Sequence, residues 1–174
     1  ISLGAGVVAC DVGRFESLAR DGTREALTAA AALYRGRLMD DIAISEEAWS
    51  DWITQERQRL EGLALTALVR LAELELAAAQ PQAALTAAQR AITLDNVRED
   101  AHRLAVQALA ASGRRAEALR HYDDLIALLK RELNTEPDAA TKALMHELRT
   151  EQPPAATPTA TPTPPRSSTR PPAA

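Results

Sequence analysis

The sequence lacks the residues on which small secreted and metal-dependent proteins rely. Its 174 residues contain one cysteine, Cys10, which cannot form an internal disulfide and fits a reducing, cytoplasmic compartment. The three histidines, His102, His121 and His146, have no zinc-ligand spacing, so we expect them to be structural or solvent-facing. No apolar run approaches the roughly 20 residues that span a bilayer, and we expect no membrane segment.

Signatures of catalysis are also missing. The sequence has no glycine-rich phosphate loop, no nucleophile elbow and no zinc signature. Adjacent carboxylates such as Asp123 and Asp124 diverge on a helix, so they do not form an acid–base pair. We therefore expect no enzyme activity, no cofactor and no metal.

Aromatic residues and positive charge are both scarce. Aromatic residues make up 3% of the chain, whereas 46% of it is hydrophobic and dominated by Ala and Leu, a composition typical of close-packed helices. Residues 1–152 carry 18 basic against 24 acidic groups. Because an acidic surface is unfavourable for phosphate backbones, we do not expect this segment to bind nucleic acid by itself.

The sequence does contain an internal repeat with a period of 34 residues. Residues 65–94 align with residues 99–128 without a gap. Thirty-four is the period of the tetratricopeptide repeat, a helix–turn–helix unit that stacks on its neighbours. Ala84 and Ala118 are small enough for the second helix of each copy to approach the first, and Gly113 suits a left-handed cap between them. The repeat predicts a helical interaction module.

Hydrophobic periodicity predicts an all-α protein, a TPR-like α–α superhelix of about seven helices. The first predicted helix follows an N-cap at Asp11 and contains Phe15 and Leu18, and the last runs from an N-cap at Asp138 to about Arg149. Between them, helices are predicted at residues 23–35, 45–78, 81–94, 98–112 and 115–133. The expected boundary residues are Thr23 as an N-cap, Gly36 as a stop, Pro81 in a first turn and Asn134 as a left-handed end.

The two ends differ from this helical body, which we place at residues 13–150. Residues 1–12 are the only extended-looking stretch and are predicted as the end of, or lead-in from, a preceding domain. Residues 151–174 form a Pro/Thr-rich tail that holds eight of the ten prolines. Such a composition predicts a disordered linker.

Two stretches resemble the bacterial transcriptional activator domain. The first stretch matches three motifs of the family. The aromatic–Gly–Leu motif corresponds to Leu33, Tyr34, Gly36 and Leu38, the aromatic–x–x–Trp motif to Trp49 and Trp52, and the Glu–Arg–x–x–Leu motif to Glu56, Arg57 and Leu60. In the second, the matching residues are Asp95, Arg98, Glu99, Ala101, Gly113, Arg114, Ala118, Leu119, Tyr122, Leu129, Leu133, Glu136 and Pro137. The resemblance covers about residues 7–149.

The resemblance implies a context for the domain. Such domains usually follow a winged-helix DNA-binding domain, as in the antibiotic regulatory proteins, and help the regulator to associate or to respond to signals. The implied partners are proteins, namely a second copy, neighbouring domains or RNA polymerase, and DNA is contacted only through the preceding domain. A second interpretation is a TPR-type scaffold that binds a peptide or tethers a C-terminal cyclase or ATPase, without DNA recognition.

The two tryptophans have two interpretations. Trp49 and Trp52 could anchor a partner, since Trp is favoured at interface hot spots. Their helical spacing and family positions favour packing on the second helix, and a buried Trp52 would make Trp52→Ala cost about 3–5 kcal/mol. We expect the adjacent Glu56 and Arg57 to be a structural pair of charges.

A concave face is the usual ligand surface of a repeat superhelix. In chaperone-binding repeats it holds the terminal carboxylate of a peptide, and the corresponding positions here include Asp100, Arg103 and Gln107. Only Arg103 suits such a clamp, so a carboxylate clamp is not favoured. With Trp49 these three residues make up the candidate interaction surface. The structural signature residues are Trp52, Glu56, Arg57, Ala84, Asp95, Arg98, Gly113, Ala118, Tyr122 and Pro137.

Overall fold

The computed structural model describes residues 10–40 and 46–150, and these residues form seven α-helices and no strand. The helices are α1 (Asp11–Asp21), α2 (Arg24–Leu33), α3 (Glu47–Ala77), α4 (Pro81–Leu94), α5 (Glu99–Ala111), α6 (Arg115–Glu132) and α7 (Ala139–Thr150). The predicted all-α architecture is confirmed. Most of the predicted lead-in, residues 1–9, and the Pro/Thr-rich tail lie outside the described residues.

The helices stack in the manner of tetratricopeptide repeats. Each helix contacts the next one along the chain, and α1 contacts α3, α3 contacts α5 and α5 contacts α7. The odd-numbered helices therefore form one continuous layer, and α2, α4 and α6 each pack between two of its members. This is the packing expected for hairpins that cannot bury their apolar faces alone.

Helix α1 begins earlier than the sequence predicts. Asp11 was expected to cap it and residues 1–12 to be extended, but Cys10 occupies the N-cap position and Asp11 is the first helical residue. Val12 then packs, at helical spacing, against the cluster that contains Phe15. Burial of this valine explains why the helix includes residues that look extended by composition alone.

Helix α2 ends without a left-handed residue. Thr23 caps its start as predicted, because its side chain accepts a hydrogen bond from the Ala26 amide at 3.3 Å. Gly36, the predicted stop, lies beyond the end, because Tyr34 is already extended with φ of −77°. Two carbonyls at this end, those of Ala31 and Tyr34, accept hydrogen bonds from the guanidinium of Arg90, so the end is stabilised from α4 instead.

The two aligned repeats turn in the same way between their helices. Gly113 after α5 has φ of 73°, and Ala79, its equivalent 34 residues earlier, has φ of 54°. In both turns the next amide, that of Arg114 or Gln80, returns to a carbonyl inside the preceding helix, at 2.9 and 2.8 Å. The predicted left-handed cap at Gly113 is confirmed, and the first repeat makes the same turn without glycine.

The remaining local predictions agree with the structure. Helix α4 has the predicted bounds, with Pro81 in its first turn. Asn134 has φ of 52° just after α6, and the carboxylate of Asp138 accepts a hydrogen bond from the Thr141 amide at 2.6 Å at the start of α7. Helix α3 continues through Gly62 for 31 residues, or about 46 Å.

Candidate partner-binding surface

Two tryptophans form an aromatic pair on the first half of α3. The ring centroids of Trp49 and Trp52 lie 5.0 Å apart with planes inclined at 41°. Trp52 is 47% exposed and Trp49 is partly exposed. The prediction that Trp52 packs in the core is wrong. Ile53, one residue later, is the buried residue of this turn, and a step of one residue rotates Trp52 about 100° away from the core.

Polar contacts orient the helix face that continues from Trp52. Glu56 and Arg59 follow Trp52 at steps of four and three residues, so the three share one face. The Arg59 guanidinium bonds both carboxylate oxygens of Glu56, at 3.0 and 3.1 Å, and reaches Glu16 of α1. The hydrogen bond from Arg59 lowers the pKa of Glu56, so the carboxylate stays ionised near neutral pH. We call Trp49, Trp52, Glu56 and Arg59 the tryptophan face.

The predicted Glu56–Arg57 pair is not formed. Arg57 points the other way, and its guanidinium donates to the carbonyls of Leu38 and Met39 at 2.8 and 2.7 Å. Adjacent residues on a helix diverge, which is why the two charges find separate partners. Arg57 therefore fixes the segment after α2 against the same half of α3 that carries the tryptophans.

A groove of about 570 Å³ lies between α1, the segment after α2 and α3. Its apolar lining consists of Val12, Phe15, Leu33, Tyr34, Leu38, Met39 and Leu60, and its polar lining includes Asp11, Arg35 and Arg37. Burial and the nearby Glu61 carboxylate raise the pKa of Tyr34, while Arg37 partly offsets them, so this phenol stays protonated. The groove and the tryptophan face thus lie at the N-terminal end of the helical stack.

The α5 part of the candidate surface is largely occupied within the chain. Arg103 donates to Asp138 at 2.8 Å and to the Thr141 hydroxyl at 3.2 Å. Asp100 accepts from Arg98 at 2.9 Å, whereas Gln107 is exposed. Helix α7 packs on α5 here, so the one residue suited to a carboxylate clamp is paired with the chain's own α7. The structure therefore separates Trp49 from the three α5 residues.

Arg103→Ala should loosen the docking of α7. We expect the free energy of unfolding to fall by only about 1 kcal/mol, because Asp138 is half exposed and solvent screens the pair. The amides of α7 should exchange with solvent faster, as measured by hydrogen–deuterium exchange. Arg120→Ala, which removes an exposed arginine from α6, is the control. Unchanged exchange in α7 would contradict a docking role for Arg103.

The described residues exclude two kinds of site. In these residues no group of three or more His, Cys, Asp or Glu side chains could hold a metal ion. No helix within residues 10–40 and 46–150 has the length and apolar character needed to cross a membrane. What the described residues do present is a helical stack with an exposed aromatic pair.

Comparison with protein families matches this stack to a single module. The family model described as the bacterial transcriptional activator domain matches residues 10–149. The chain belongs to the bacterial transcriptional activator domain family. This is a family of regulatory domains of transcription activators rather than of enzymes. The comparison with curated proteins finds no match.

Four of the ten residues that the sequence predicts as a structural signature are buried in the packing of this activator domain. Ala84 and Ala118 are fully buried, at 0% exposure, where α4 meets α3 and α6 meets α5. Tyr122 and Pro137 are also buried, and the Arg149 guanidinium lies 6.0 Å from the Tyr122 ring centroid.

Two further signature residues organise the turn between α4 and α5. The Asp95 side chain accepts a hydrogen bond from the Val97 amide at 3.2 Å, and Arg98 pairs with Asp100. Asp95 and Arg98 thus shape the turn between the two repeats of the activator domain.

The activator domain also contains a histidine pair that sequence reasoning missed. His102 on α5 and His121 on α6 were expected to be structural or solvent-facing, and the structure brings them together, with His102 Nδ1 and His121 Nε2 3.0 Å apart. The aligned residues in the first repeat are Leu68 and Ala87, both buried core residues. That alignment was the available signal, since it places two imidazoles at positions that are apolar in the preceding repeat.

Proposed function

We propose that this chain is the regulatory and protein-interaction module of a bacterial transcription regulator whose winged-helix DNA-binding domain lies upstream. The family supports a regulatory role in transcription activation. In this proposal the module performs no catalysis and acts in the cytoplasm by burying apolar surface against a second copy or a neighbouring domain. Such burial would set the spacing of the DNA-binding domains.

The exposed Trp52 is the observation that carries this proposal. A tryptophan that is 47% exposed beside a second tryptophan presents apolar surface to solvent, and Trp is enriched at interface hot spots. The contacts of Arg59 with Glu56 and Glu16 hold the surrounding face in one arrangement before a partner binds. A second copy of the chain is the simplest partner, because most soluble oligomers are built from identical chains.

Sedimentation equilibrium over a range of concentrations tests this proposal. We expect reversible dimers of the chain and about tenfold weaker association for Trp52→Ala, or 1.4 kcal/mol. The free energy of unfolding should change by less than about 1 kcal/mol, because the side chain is half exposed.

Gln58→Ala is the matched control, since it truncates an exposed side chain on the same helix outside the tryptophan face. A chain that remains monomeric at every concentration would contradict self-association. Dimers that Trp52→Ala leaves unchanged would place the interface elsewhere on the module.

DNA binding should be absent from this module. The acidic balance of residues 1–152 predicts no salt-sensitive binding of duplex DNA by the chain alone. Clear binding of duplex DNA at moderate ionic strength, measured by fluorescence anisotropy, would contradict the proposal that only the upstream domain contacts DNA.

A scaffold without DNA recognition is the alternative function, and one observation supports it. The odd-numbered helices form the continuous layer that repeat scaffolds use to bind peptides. The pairing of Arg103 with Asp138 disfavours a carboxylate clamp on that layer. The sequence upstream of Ile1 discriminates the two functions, because only the regulator requires a winged-helix pattern there.

A further inference from the structure

The histidine pair replaces two core residues of the first repeat. Leu68 and Ala87 are 2% and 4% exposed, and they are the equivalents of His102 and His121 in the 34-residue alignment. His102 is equally inaccessible, at 5% exposure. The second repeat therefore joins its two helices with a hydrogen bond between imidazoles where the first repeat uses apolar packing.

Hydrogen-bond partners determine which nitrogens carry protons in the neutral pair. His102 Nε2 lies 2.9 Å from the carbonyl oxygen of Asn96, which can only accept, so this nitrogen must donate. His102 Nδ1 is then an acceptor when the ring is neutral. Consequently His121 Nε2 must be the donor in the 3.0 Å contact.

The pair can take up one proton and keep its hydrogen bond. If His102 Nδ1 gains a proton, it donates to His121 Nε2, provided that His121 shifts to the tautomer protonated at Nδ1. A second proton cannot be accommodated in the same way. Both facing nitrogens would then be donors, and two cationic rings would have centroids 5.0 Å apart.

The surroundings of the pair are unevenly charged. Facing groups are the carboxylates of Asp95 from the α4–α5 turn and Glu99 from α5, both near His102, and Asp124 from α6, near His121. In the described residues, no charged group of α3, α4 or α7 is among the causes of the pKa shift of either ring.

Burial nevertheless has the largest effect and lowers the pKa of both histidines, and the charge of His102 lowers that of His121 further. Because the pKa of both histidines is lower in the folded protein, acidification lowers the free energy of unfolding. The neutral histidine pair stabilises the folded protein fully above the ordinary histidine pKa of about 6.5. This stabilisation is lost as the pH falls through the lower pKa values that the two histidines have in the folded protein.

We propose that His102 and His121 form a pH-sensitive latch that closes α6 onto α5 and opens when the pair binds its second proton. The latch connects three parts of the chain, because His102 also binds the backbone of Asn96 in the turn before α5. His121 adjoins Tyr122, which is buried and lies under Arg149 of α7. Opening would therefore loosen the C-terminal half of the module, at the opposite end from the tryptophan face. This inference is independent of the proposed partner.

Nitrogen-15 NMR of the imidazole rings in the full chain tests the latch directly. The chain has three histidines, so a His146→Gln variant leaves only the ring signals of His102 and His121 to assign. At neutral pH we expect both His102 and His121 to be protonated at Nε2, and both to titrate below the ordinary histidine pKa of about 6.5. A His102 ring protonated at Nδ1 at neutral pH, or two rings that titrate at or above the ordinary histidine pKa of about 6.5, would overturn the proposal.

A double variant supplies the matched thermodynamic control. His102→Leu with His121→Ala recreates the apolar pair of the first repeat, so the helices keep a packed contact without titratable groups. Between about pH 7.5 and 5.5 the unfolding equilibrium constant of the unaltered chain should rise about tenfold more than that of the double variant. An equal pH dependence in the double variant would contradict the latch, and the NMR measurement decides the matter if that variant does not fold.

Discussion

Leu125→Ala is expected to lower the free energy of unfolding by about 2–5 kcal/mol, which is among the largest effects of any single substitution in this domain. Leu125 is 1% exposed and is among the largest fully buried side chains in the described residues. It lies on α6, which packs between α5 and α7. Truncation removes apolar contacts and leaves a cavity that helices packed on both sides can only partly close.

The neighbouring residue provides a control of the same size. Ile126 is 38% exposed, so Ile126→Ala should change the free energy of unfolding by less than about 1 kcal/mol. Urea denaturation followed by circular dichroism measures both variants. Equal losses would show that α6 is rotated relative to the structure described here.

Arg90→Ala is expected to lower the free energy of unfolding by about 2–4 kcal/mol, because it removes two hydrogen bonds with a charged donor. Arg90 donates to the carbonyls of Ala31 and Tyr34 at 2.8 and 2.9 Å, at the end of α2. Without it, two partly buried carbonyls at a helix end lose their partner. Tyr34, whose ring lies 5.7 Å from that of Phe15, should become more mobile.

Two variants bracket the effect of Arg90. Arg90→Lys keeps the charge, but its shorter side chain cannot place a nitrogen where the terminal Arg90 nitrogen binds both carbonyls, so we expect an intermediate loss. Arg70→Ala removes an exposed arginine whose partner, Glu73, is on the same helix, and it should cost less than about 0.5 kcal/mol. Hydrogen–deuterium exchange should show faster exchange at the end of α2 only for the Arg90 variants. Protection of α2 in Arg90→Ala would contradict the stabilising role.

Local signals explain which parts of the fold were predictable. Pro81 fits only a first turn, Asn134 tolerates a left-handed backbone, and the side chain of Asp138 binds an amide three residues later. The 34-residue period similarly predicted the stacking of hairpins, because each repeat needs a neighbour to bury its apolar face. These interactions span a few residues or follow from the repeat itself.

The candidate surface depended on contacts that cross the fold. The spacing of apolar residues does not determine whether Trp52 or Ile53 is buried, because the two follow Trp49 at steps of three and four residues and both steps fit a helix. Arg103 and its partner Asp138 are 35 residues apart, and His102 and His121 are 19 apart. No local rule connects such pairs, so the pairing of Arg103 with Asp138 and the contact between the two histidines emerged only from packing, as did the exposure of Trp52.

By itself, the sequence determined the helical class, the family and most helix boundaries, because caps, turns and apolar periodicity act within about one helical turn. The tertiary structure alone decided which side chains the stack leaves exposed and which it pairs. Trp52 is available to a partner while Arg103 is bound to α7, because the rotation of each helix depends on the helices packed against it. The surface proposed to bind a partner is therefore a property of the assembled repeats.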